Sequence, residues 1–307
     1  MNKQTDLVIV GGGLAGFCGA LEAALAGFEV ILLEKQHETG GSSVLSGGCL
    51  AFAGTDMQRN AGIDDSSELL FRDLREVGKF ENDESLVRCY VANQLETYAF
   101  LKQAGVQFGD TLEASSGQSV PRVHNVDPAD MVRVLQARAA ATGKVTVLMQ
   151  TAARRLVVDP VTSRVTGVIA ANEAGDLVVE GRAGVLLASG GFCRNAEMVH
   201  RYAPQYDNAV FIGGEGNVGD GLRMAQKLGA DTRDMAYIKG TFGKHPTDET
   251  NHHSCQCVYK GAIAVNQDGK RFVNESISYK LLGDACIAQP YGAAFQILDH
   301  RILKSRS

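Results

Sequence analysis

Gly11, Gly13 and Gly16 form the pattern G-x-G-x-x-G directly after a short apolar segment, Leu7 to Val10. Glycines in this pattern permit a tight turn out of a strand, bring backbone N–H groups to a pyrophosphate at a helix N-terminus, and let the helix pack closely on the strand. Glu34 ends the next apolar segment, eighteen residues after Gly16, where a carboxylate can accept hydrogen bonds from ribose hydroxyls. The spacing predicts a dinucleotide site but does not separate NAD from FAD.

Three further glycine-rich segments favour FAD. Residues 40–43 (GGSS) and 46–48 (SGG) come soon after Glu34, where their backbone can run along a flavin and its diphosphate. Residues 190–191 (GG) end the later apolar segment GVLLAS, where the sheet would return to the cofactor. A plain NAD domain needs none of these segments, although each by itself is also compatible with a surface loop. An NAD-binding protein is therefore the weaker alternative.

The pattern of apolar residues predicts the elements that position these segments. A strand, a helix rich in Ala and Leu over residues 14–26, and a second strand over 28–33 make one βαβ unit. Amphipathic helices are predicted over 67–77, with Ser66 as cap, over 84–104, and from Asp127-Pro128 to residue 140. Strands follow between residues 145 and 188, with a hairpin turn at 172–175. The predicted fold class is therefore α/β.

Composition and charge exclude several classes of protein. The chain has 307 residues, of which 45% are hydrophobic and 21% charged, enough for two domains with their own cores. A formal net charge of -5 argues against nucleic acid as a partner, and no apolar run reaches the length of a membrane span. The seven cysteines are scattered and odd in number, which does not indicate a disulfide framework. Since no signal peptide precedes the first strand, we expect a soluble, cytoplasmic protein.

Six segments together resemble the flavoprotein subunits of the fumarate reductase and succinate dehydrogenase superfamily, and within it the 3-ketosteroid dehydrogenase branch. They span the chain from about Asp6 to Glu275 and read DLVIVGGGLAG, ILLEK, TGGSSVLSGGCLAFAGT, GVLLASGGFCRNAEM, GEGNVGDGLRMAQKLGA and GAIAVNQDGKRFVNES. The resemblance implies a Rossmann-type FAD-binding domain with an inserted α+β cap domain. We expect the FAD-binding domain over residues 1–240 and the start of an incomplete cap, or substrate, domain over 241–307.

Carried over position by position, the resemblance implies contacts with FAD throughout the first domain. The residues implied at the diphosphate, the adenosine, the isoalloxazine and the rest of the site are Gly11, Gly13, Ala15, Gly16, Glu34, Lys35, Gly41, Ser42, Ser43, Gly47, Gly48, Ala153, Ala188, Ser189, Gly190 and Asp220. Relatives with covalent flavin carry a His about where Ser42 stands, and His37 lies five residues earlier. We therefore expect non-covalent FAD.

The resemblance also implies hydride transfer between the flavin and a carbon beta to a carbonyl or carboxylate, with a protein acid or base at the alpha carbon. In the fumarate reductase branch an Arg follows the RFVNE-type motif, and here Tyr279 takes its position. The preceding carboxylate-binding Glu and Arg fall at Cys255 and Val258. We therefore predict that Tyr279 is the acid/base and that the substrate is an enone or its saturated ketone, with a steroid-like compound as one candidate. The alternatives are a Tyr that only packs a domain junction and a fumarate reductase-like enzyme for a small unsaturated acid.

Two further groups of residues are weaker candidates. His245 in KHPT resembles a substrate-site His of the family, although a surface or capping role is the simpler interpretation. His252, His253, Cys255 and Cys257 could be read as metal ligands, but their spacing differs from that of usual zinc sites, so we expect no metal.

Relatives continue beyond the end of this chain into the rest of the cap and return to the FAD domain. The sequence therefore leaves two functional classes open: a FAD-dependent dehydrogenase or reductase of CH–CH bonds that is complete only with a C-terminal part, or a non-catalytic FAD-binding fragment or subunit that needs a partner. Besides a small-molecule substrate, the enzyme reading implies an electron donor or acceptor.

Overall fold

The computed structural model describes residues 2–115, 117–240, 242–245, 255 and 257–304. The chain divides into two compact units. The first comprises Met1–Asn195 and Gly213–Thr232, and the second comprises Ala196–Ile212 and Arg233–Ser307. These bounds differ from the predicted division into two domains at residue 240. The division into a FAD-binding domain and a cap domain stays a prediction.

The two units contain both strands and helices. In chain order they are β1 (Asn2–Val10), α1 (Leu14–Leu25), β2 (Val30–Leu33), β3 (Cys49–Ala51), α2 (Asp56–Asn60), α3 (Ser67–Val77), α4 (Glu84–Ala104), β4 (Leu112–Glu113), β5 (Val123–Asn125), α5 (Pro128–Ala141), β6 (Val145–Leu148), β7 (Ala152–Val158), β8 (Val165–Asn172), β9 (Gly175–Leu187), α6 (Ala196–Tyr202), α7 (Asp220–Gln226), β10 (Ile263–Val265), α8 (Tyr279–Ile287), β11 (Phe295–Ile297) and α9 (His300–Lys304).

A six-stranded sheet in the order β6-β2-β1-β9-β8-β7 carries the first unit. The four strands β6, β2, β1 and β9 run parallel to one another, whereas β9, β8 and β7 form an antiparallel meander. Every residue of β2 is buried, as expected for a parallel strand that is covered on both faces. The α/β fold class predicted from the sequence is confirmed.

Apolar side chains cover both faces of this sheet. On one face Ile9 and Leu32 pack with Phe17 of α1 and Leu135 of α5, all of them almost inaccessible to solvent. On the other face alternate residues of the same strands, such as Val8 and Ile31, pack against side chains of the meander. Because successive side chains of a strand point to opposite faces, one apolar strand serves both cores.

The long strand β9 corrects one expectation. The sequence predicts two strands, LVVEG and GVLLA, but they form one strand of thirteen residues. Its pairing with β1 shifts register between Thr5 and Leu7, so a local irregularity replaces the expected break. The predicted turn at 172–175 is confirmed, because Asn172 pairs with Gly175 across the β8–β9 hairpin.

A buried polar network ties a second layer of the first unit together. The guanidinium of Arg122 is inaccessible to solvent and forms ion pairs with Asp65, at 2.8 Å, and with Asp73. Ser119 also donates hydrogen bonds to Asp73, and its backbone N–H lies 2.8 Å from the carboxylate. Burial alone would raise the pKa of Asp73, but the hydrogen bonds from Ser119 and Arg122 outweigh it and the pKa is lowered. The network joins α3 to the segment that leads into β5.

His124 extends the same layer. It is fully buried, with Nδ1 2.8 Å from the carbonyl oxygen of Arg122 and Nε2 2.9 Å from the hydroxyl of Thr55. Burial lowers the pKa of His124, although nearby hydrogen bonds and carboxylates act in the opposite direction. A neutral ring satisfies both contacts when Nδ1–H donates to the carbonyl and Nε2 accepts from the hydroxyl.

The second unit contains α6, α8, α9 and the two-stranded antiparallel sheet of β10 and β11. Its small core includes Phe242, Val258, Ala264 and Leu282. Among the described residues of either unit, no helix combines the length and the apolar character that crossing a membrane requires.

The buried ion pairs of Arg122 generate a stability prediction. Arg122→Met should lower the free energy of unfolding by about 3–5 kcal/mol, because it leaves two buried carboxylates without their cation. Urea unfolding followed by circular dichroism measures the change. The matched control is Arg133→Met, which removes an exposed partner of Asp130 and should cost less than about 1 kcal/mol. An equal loss in the two variants would contradict the role given to Arg122.

Candidate functional site

The glycine motif closes the turn between β1 and α1. Gly11 adopts a φ of +110°, and a Cβ at this position would lie 2.5 Å from the carbonyl oxygen of Ala188. A Cβ at Gly16 would lie 2.0 Å from the carbonyl oxygen of Gly11. Both positions therefore require glycine: the first for its backbone conformation and contact with the chain beyond β9, the second for the close approach of α1 to the turn.

Gly13 plays a different part from the other two glycines. It is the N-cap of α1 and has no side chain to bond the first N–H groups of the helix. Its missing Cβ would meet Ser43 Oγ at 3.6 Å and the Gly40 carbonyl oxygen at 3.7 Å, which are ordinary contacts. The protein itself thus leaves room for a side chain at Gly13. A ligand lying over the helix N-terminus would explain the absence of one, since the helix dipole favours an anion there.

Glu34 lies beneath this turn. Its Oε2 accepts a hydrogen bond from the Gly12 N–H at 2.7 Å, and its Oε1 accepts one from the Gln36 N–H at 2.8 Å. The backbone N–H of Thr151 bonds the Glu34 carbonyl at 2.8 Å, which brings the start of β7, and with it Ala153, towards the same acid. Each carboxylate oxygen keeps a further lone pair with which to accept a ribose hydroxyl.

The Gly/Ser segment after β2 is joined to the glycine turn. Gly40 N–H donates to the carbonyl of Gly12 at 2.8 Å, and Ser43 Oγ accepts from the Leu14 N–H at 3.1 Å. Ser42 Oγ is 3.0 Å from the Gly214 N–H and 3.1 Å from Asn217 Nδ2. The hydroxyls of Ser42 and Ser43 therefore connect three separate loops. Gly41, Gly47 and Gly48 lie in the same segment.

After β9, the chain returns to the glycine turn between β1 and α1. The N–H of Ala188 donates to the carbonyl of Val10 at 2.9 Å, which places residues 188–190 next to Gly11. Ser189 packs on the first turn of α7, where a Cβ at Gly221 would lie 2.2 Å from its hydroxyl. Gly190 adopts a φ of +73°, which explains glycine at this turn.

Lys35 and Asp220 form an ion pair of 2.6 Å between the end of β2 and the start of α7. Arg223 contacts the other oxygen of Asp220 at 2.7 Å. Burial would raise the pKa of Asp220, but the hydrogen bonds from Lys35 and Arg223 outweigh it and lower that pKa. The acid is thus held ionised beside Lys35.

All sixteen predicted FAD residues lie in the first unit, and hydrogen bonds join Glu34, Ser43 and Ala188 to the segment around the turn between β1 and α1. Sequence reasoning did not single out Gly214, Asn217 or Arg223 as parts of this arrangement. The segment GEGNVGDG contains the first two and was quoted for the resemblance, so its clustered glycines were the available signal. The contacts of Gly214 and Asn217 with Ser42 join residues more than 170 positions apart, which no local pattern shows.

Tyr279 lies in the second unit, as the first residue of α8. Ser278 caps this helix, with its hydroxyl 3.3 Å from the Leu281 N–H, and the Lys239 ammonium lies 5.1 Å from the centre of the Tyr279 ring. Val258, at the position of the family's carboxylate-binding Arg, is buried in the core of this unit. His245 is exposed. The roles of Tyr279 and His245 stay predictions.

The suggested metal ligands His252 and His253 lie outside the described residues. Within the part of the chain that the structure does describe, no group of three His, Cys, Asp or Glu side chains is arranged to hold a metal ion.

Comparison with known proteins identifies the cofactor of this chain. Residues 6–302 match the family described as "FAD binding domain". The chain belongs to this family. Its cofactor is FAD, and the arrangement of Gly13, Glu34 and the helix N-terminus fits the diphosphate and ribose of that cofactor.

The FAD-binding domain has relatives among reductases and dehydrogenases. It is 32% identical over 314 residues to a fumarate reductase (cytochrome) of Shewanella frigidimarina, covering 100% of this chain and 54% of the relative. Among solved structures, it superposes with a TM-score of 0.85 and 28% identity on a flavocytochrome c3 fumarate reductase in an open conformation, covering 99% of this chain and 54% of that one. The 3-ketosteroid-Δ4-(5α)-dehydrogenase of Rhodococcus jostii RHA1 gives a TM-score of 0.82 and 26% identity, with 99% and 68% covered.

These comparisons confirm the predicted cofactor and the resemblance to the fumarate reductase superfamily of flavoproteins. The chain spans about half the length of the fumarate reductase relative that it matches.

Gly13 provides a test of FAD binding that leaves the fold intact. Gly13→Ala should keep the free energy of unfolding of the FAD-free protein, because the added methyl makes only ordinary contacts within the chain. It should weaken FAD binding by at least about tenfold, or roughly 1.4 kcal/mol, because the methyl occupies the surface over the helix N-terminus. Fluorescence titration with FAD measures the change.

The matched control is Gly109→Ala, where the added Cβ also meets nothing closer than 3.6 Å and no FAD contact is predicted. Unchanged FAD affinity in Gly13→Ala would contradict the placement of the diphosphate at this turn.

Proposed function

We propose that the protein containing this domain is a FAD-dependent oxidoreductase that acts on a carbon–carbon bond conjugated with, or adjacent to, a carbonyl group. The relatives named as a fumarate reductase and as a 3-ketosteroid dehydrogenase support this class of reaction. When bound, FAD supplies or accepts the hydride at the carbon beta to the carbonyl. The residues of this chain have to bind the substrate and move a proton at the alpha carbon.

The observation that carries the substrate class is the replacement at the acid/base position. Tyr279 is the first residue of α8, at the position where the fumarate reductase branch has an Arg. Val258, which is apolar and buried, takes the position of the carboxylate-binding Arg of that branch. A phenol can donate a proton to carbon, or accept one from it. An enone or saturated ketone therefore fits this set of residues better than a dicarboxylate, while a small unsaturated monocarboxylic acid is the second candidate.

In the reductive direction, a hydride and a proton are added to the C=C bond of the substrate. A hydride adds to the beta carbon, Tyr279 gives its phenolic proton to the alpha carbon, and the C=C bond becomes a single bond. The resulting phenolate takes a proton from solvent. The FAD then has to be reduced again by an electron donor, which is the partner that we expect besides the substrate.

We also propose that FAD is bound non-covalently. Ser42 stands where relatives with covalent flavin carry a His, and its hydroxyl is engaged with Gly214 and Asn217. Denaturation in acid followed by filtration should release all of the yellow colour as free FAD, as measured by absorbance. Flavin that stays with the precipitated protein would show a covalent bond.

Tyr279→Phe tests the acid/base in the full-length protein. It should lower kcat for reduction of an enone by about 100-fold or more, because it removes a proton that general acid catalysis supplies. Anaerobic stopped-flow absorbance of the reduced flavin follows the reaction, and FAD content should be unchanged. Tyr291→Phe, at an exposed tyrosine of the same unit, is the control and should behave as wild type.

Equal rates for Tyr279→Phe and wild type would contradict the role of Tyr279. A full-length protein that binds FAD and oxidises or reduces no compound of this class would favour the second functional class, a FAD-binding subunit without its own catalysis.

A further inference from the structure

One cation of the second unit lies directly beside the proposed acid/base. Lys239 Nζ is 5.1 Å from the centre of the Tyr279 ring, on the segment that leads from the first unit into the second. Lys239 is exposed, and no carboxylate among the described residues forms an ion pair with its ammonium. The ammonium is therefore available to a ligand that also reaches the phenol.

The position of Tyr279 is fixed by the helix that it begins. Lys280 Nζ lies 2.6 Å from Asp284 Oδ2 one turn later and 2.6 Å from the hydroxyl of Tyr206, which is itself buried. Tyr206 also donates to Asp284. Lys280 and Asp284 both belong to α8, so their contacts with Tyr206 fix the helix that carries Tyr279 to another segment of the second unit.

The first turn of α8 adds to the positive character of this place. The N-terminus of a helix carries a partial positive charge, since its first N–H groups lack partners within the helix. Tyr279 thus lies at a helix N-terminus, with an ammonium beside its ring. The positions of the family's own substrate-binding Glu and Arg hold Cys255 and Val258, neither of which carries a positive charge.

We propose that Lys239 is a specificity-determining residue that binds the substrate oxygen conjugated with the reacting C=C bond. This inference rests on the function proposed above and adds to its site the group that binds the substrate oxygen. As a hydride adds to the beta carbon, negative charge moves onto this oxygen, and a fixed cation stabilises it. Tyr279 then protonates the alpha carbon. The oxygen is that of a ketone or that of a carboxylate, since both present the same conjugated acceptor.

The experiment compares Lys239→Met and Lys239→Arg in the full-length protein. Two substrates that share a styryl group and differ in the conjugated acceptor are used, the neutral methyl ketone 4-phenylbut-3-en-2-one and the anionic acid trans-cinnamate. Lys239→Met should lower kcat/KM by about 100-fold, the usual effect of removing one group that stabilises a developing oxyanion, and Lys239→Arg should restore most of it. Lys270→Met, at another exposed lysine of the second unit, is the control and should change neither substrate.

The two substrates separate the two sources of the oxygen. A loss in kcat on the ketone with little change in KM supports a cation that acts on the developing enolate. A loss on cinnamate alone, through KM, supports a carboxylate as the natural ligand. Dissociation constants from the change in flavin absorbance on binding give a second readout that does not require turnover.

Unchanged kcat/KM and unchanged binding of both compounds in Lys239→Met would overturn the assignment of Lys239. If that variant matches wild type while Tyr279→Phe is inactive, only the lysine is wrong and the proposed function stands. If wild type neither binds nor reduces either compound, the proposed function and this inference fail together.

Discussion

The close approach of α1 to the turn after β1 is the constraint on which the FAD site depends. A Cβ at Gly16 would lie 2.0 Å from the Gly11 carbonyl oxygen, and one at Gly11 would lie 2.5 Å from that of Ala188. Without side chains at these two points, the helix N-terminus, the end of β1 and the chain after β9 meet within contact distance. The third glycine, Gly13, is not demanded by the protein's own packing and points instead to the ligand.

Hydrogen bonds then assemble the rest of the site around this turn. Glu34 accepts from Gly12, Ser43 from Leu14, and Ser42 from the distant Gly214 and Asn217. Most of these are single bonds from a side-chain oxygen to a backbone N–H, each worth only about 1 kcal/mol net. Their effect is geometric: they fix loops that would otherwise have no reason to share one surface.

The second unit contributes chemistry of a different kind. Its described residues include one tyrosine at a helix N-terminus with an ammonium beside it, and a Lys280–Asp284–Tyr206 group that holds that helix. The function proposed above assigns cofactor binding and proton transfer to different units of the chain.

The sequence alone determined the elements with a strong local pattern. Helices α3 and α4 have the predicted bounds, and Ser66 caps α3 as expected. The glycine motif at the start of α1 predicted a dinucleotide site. Each of these depends on residues within one or two turns of each other, so local propensity is sufficient. The tertiary structure decided the single strand β9, the buried Arg122 network and the pairing of Lys239 with Tyr279. These join residues 40 or more positions apart, or depend on burial, and pairing over such distances is set by packing and not by any periodicity in the chain.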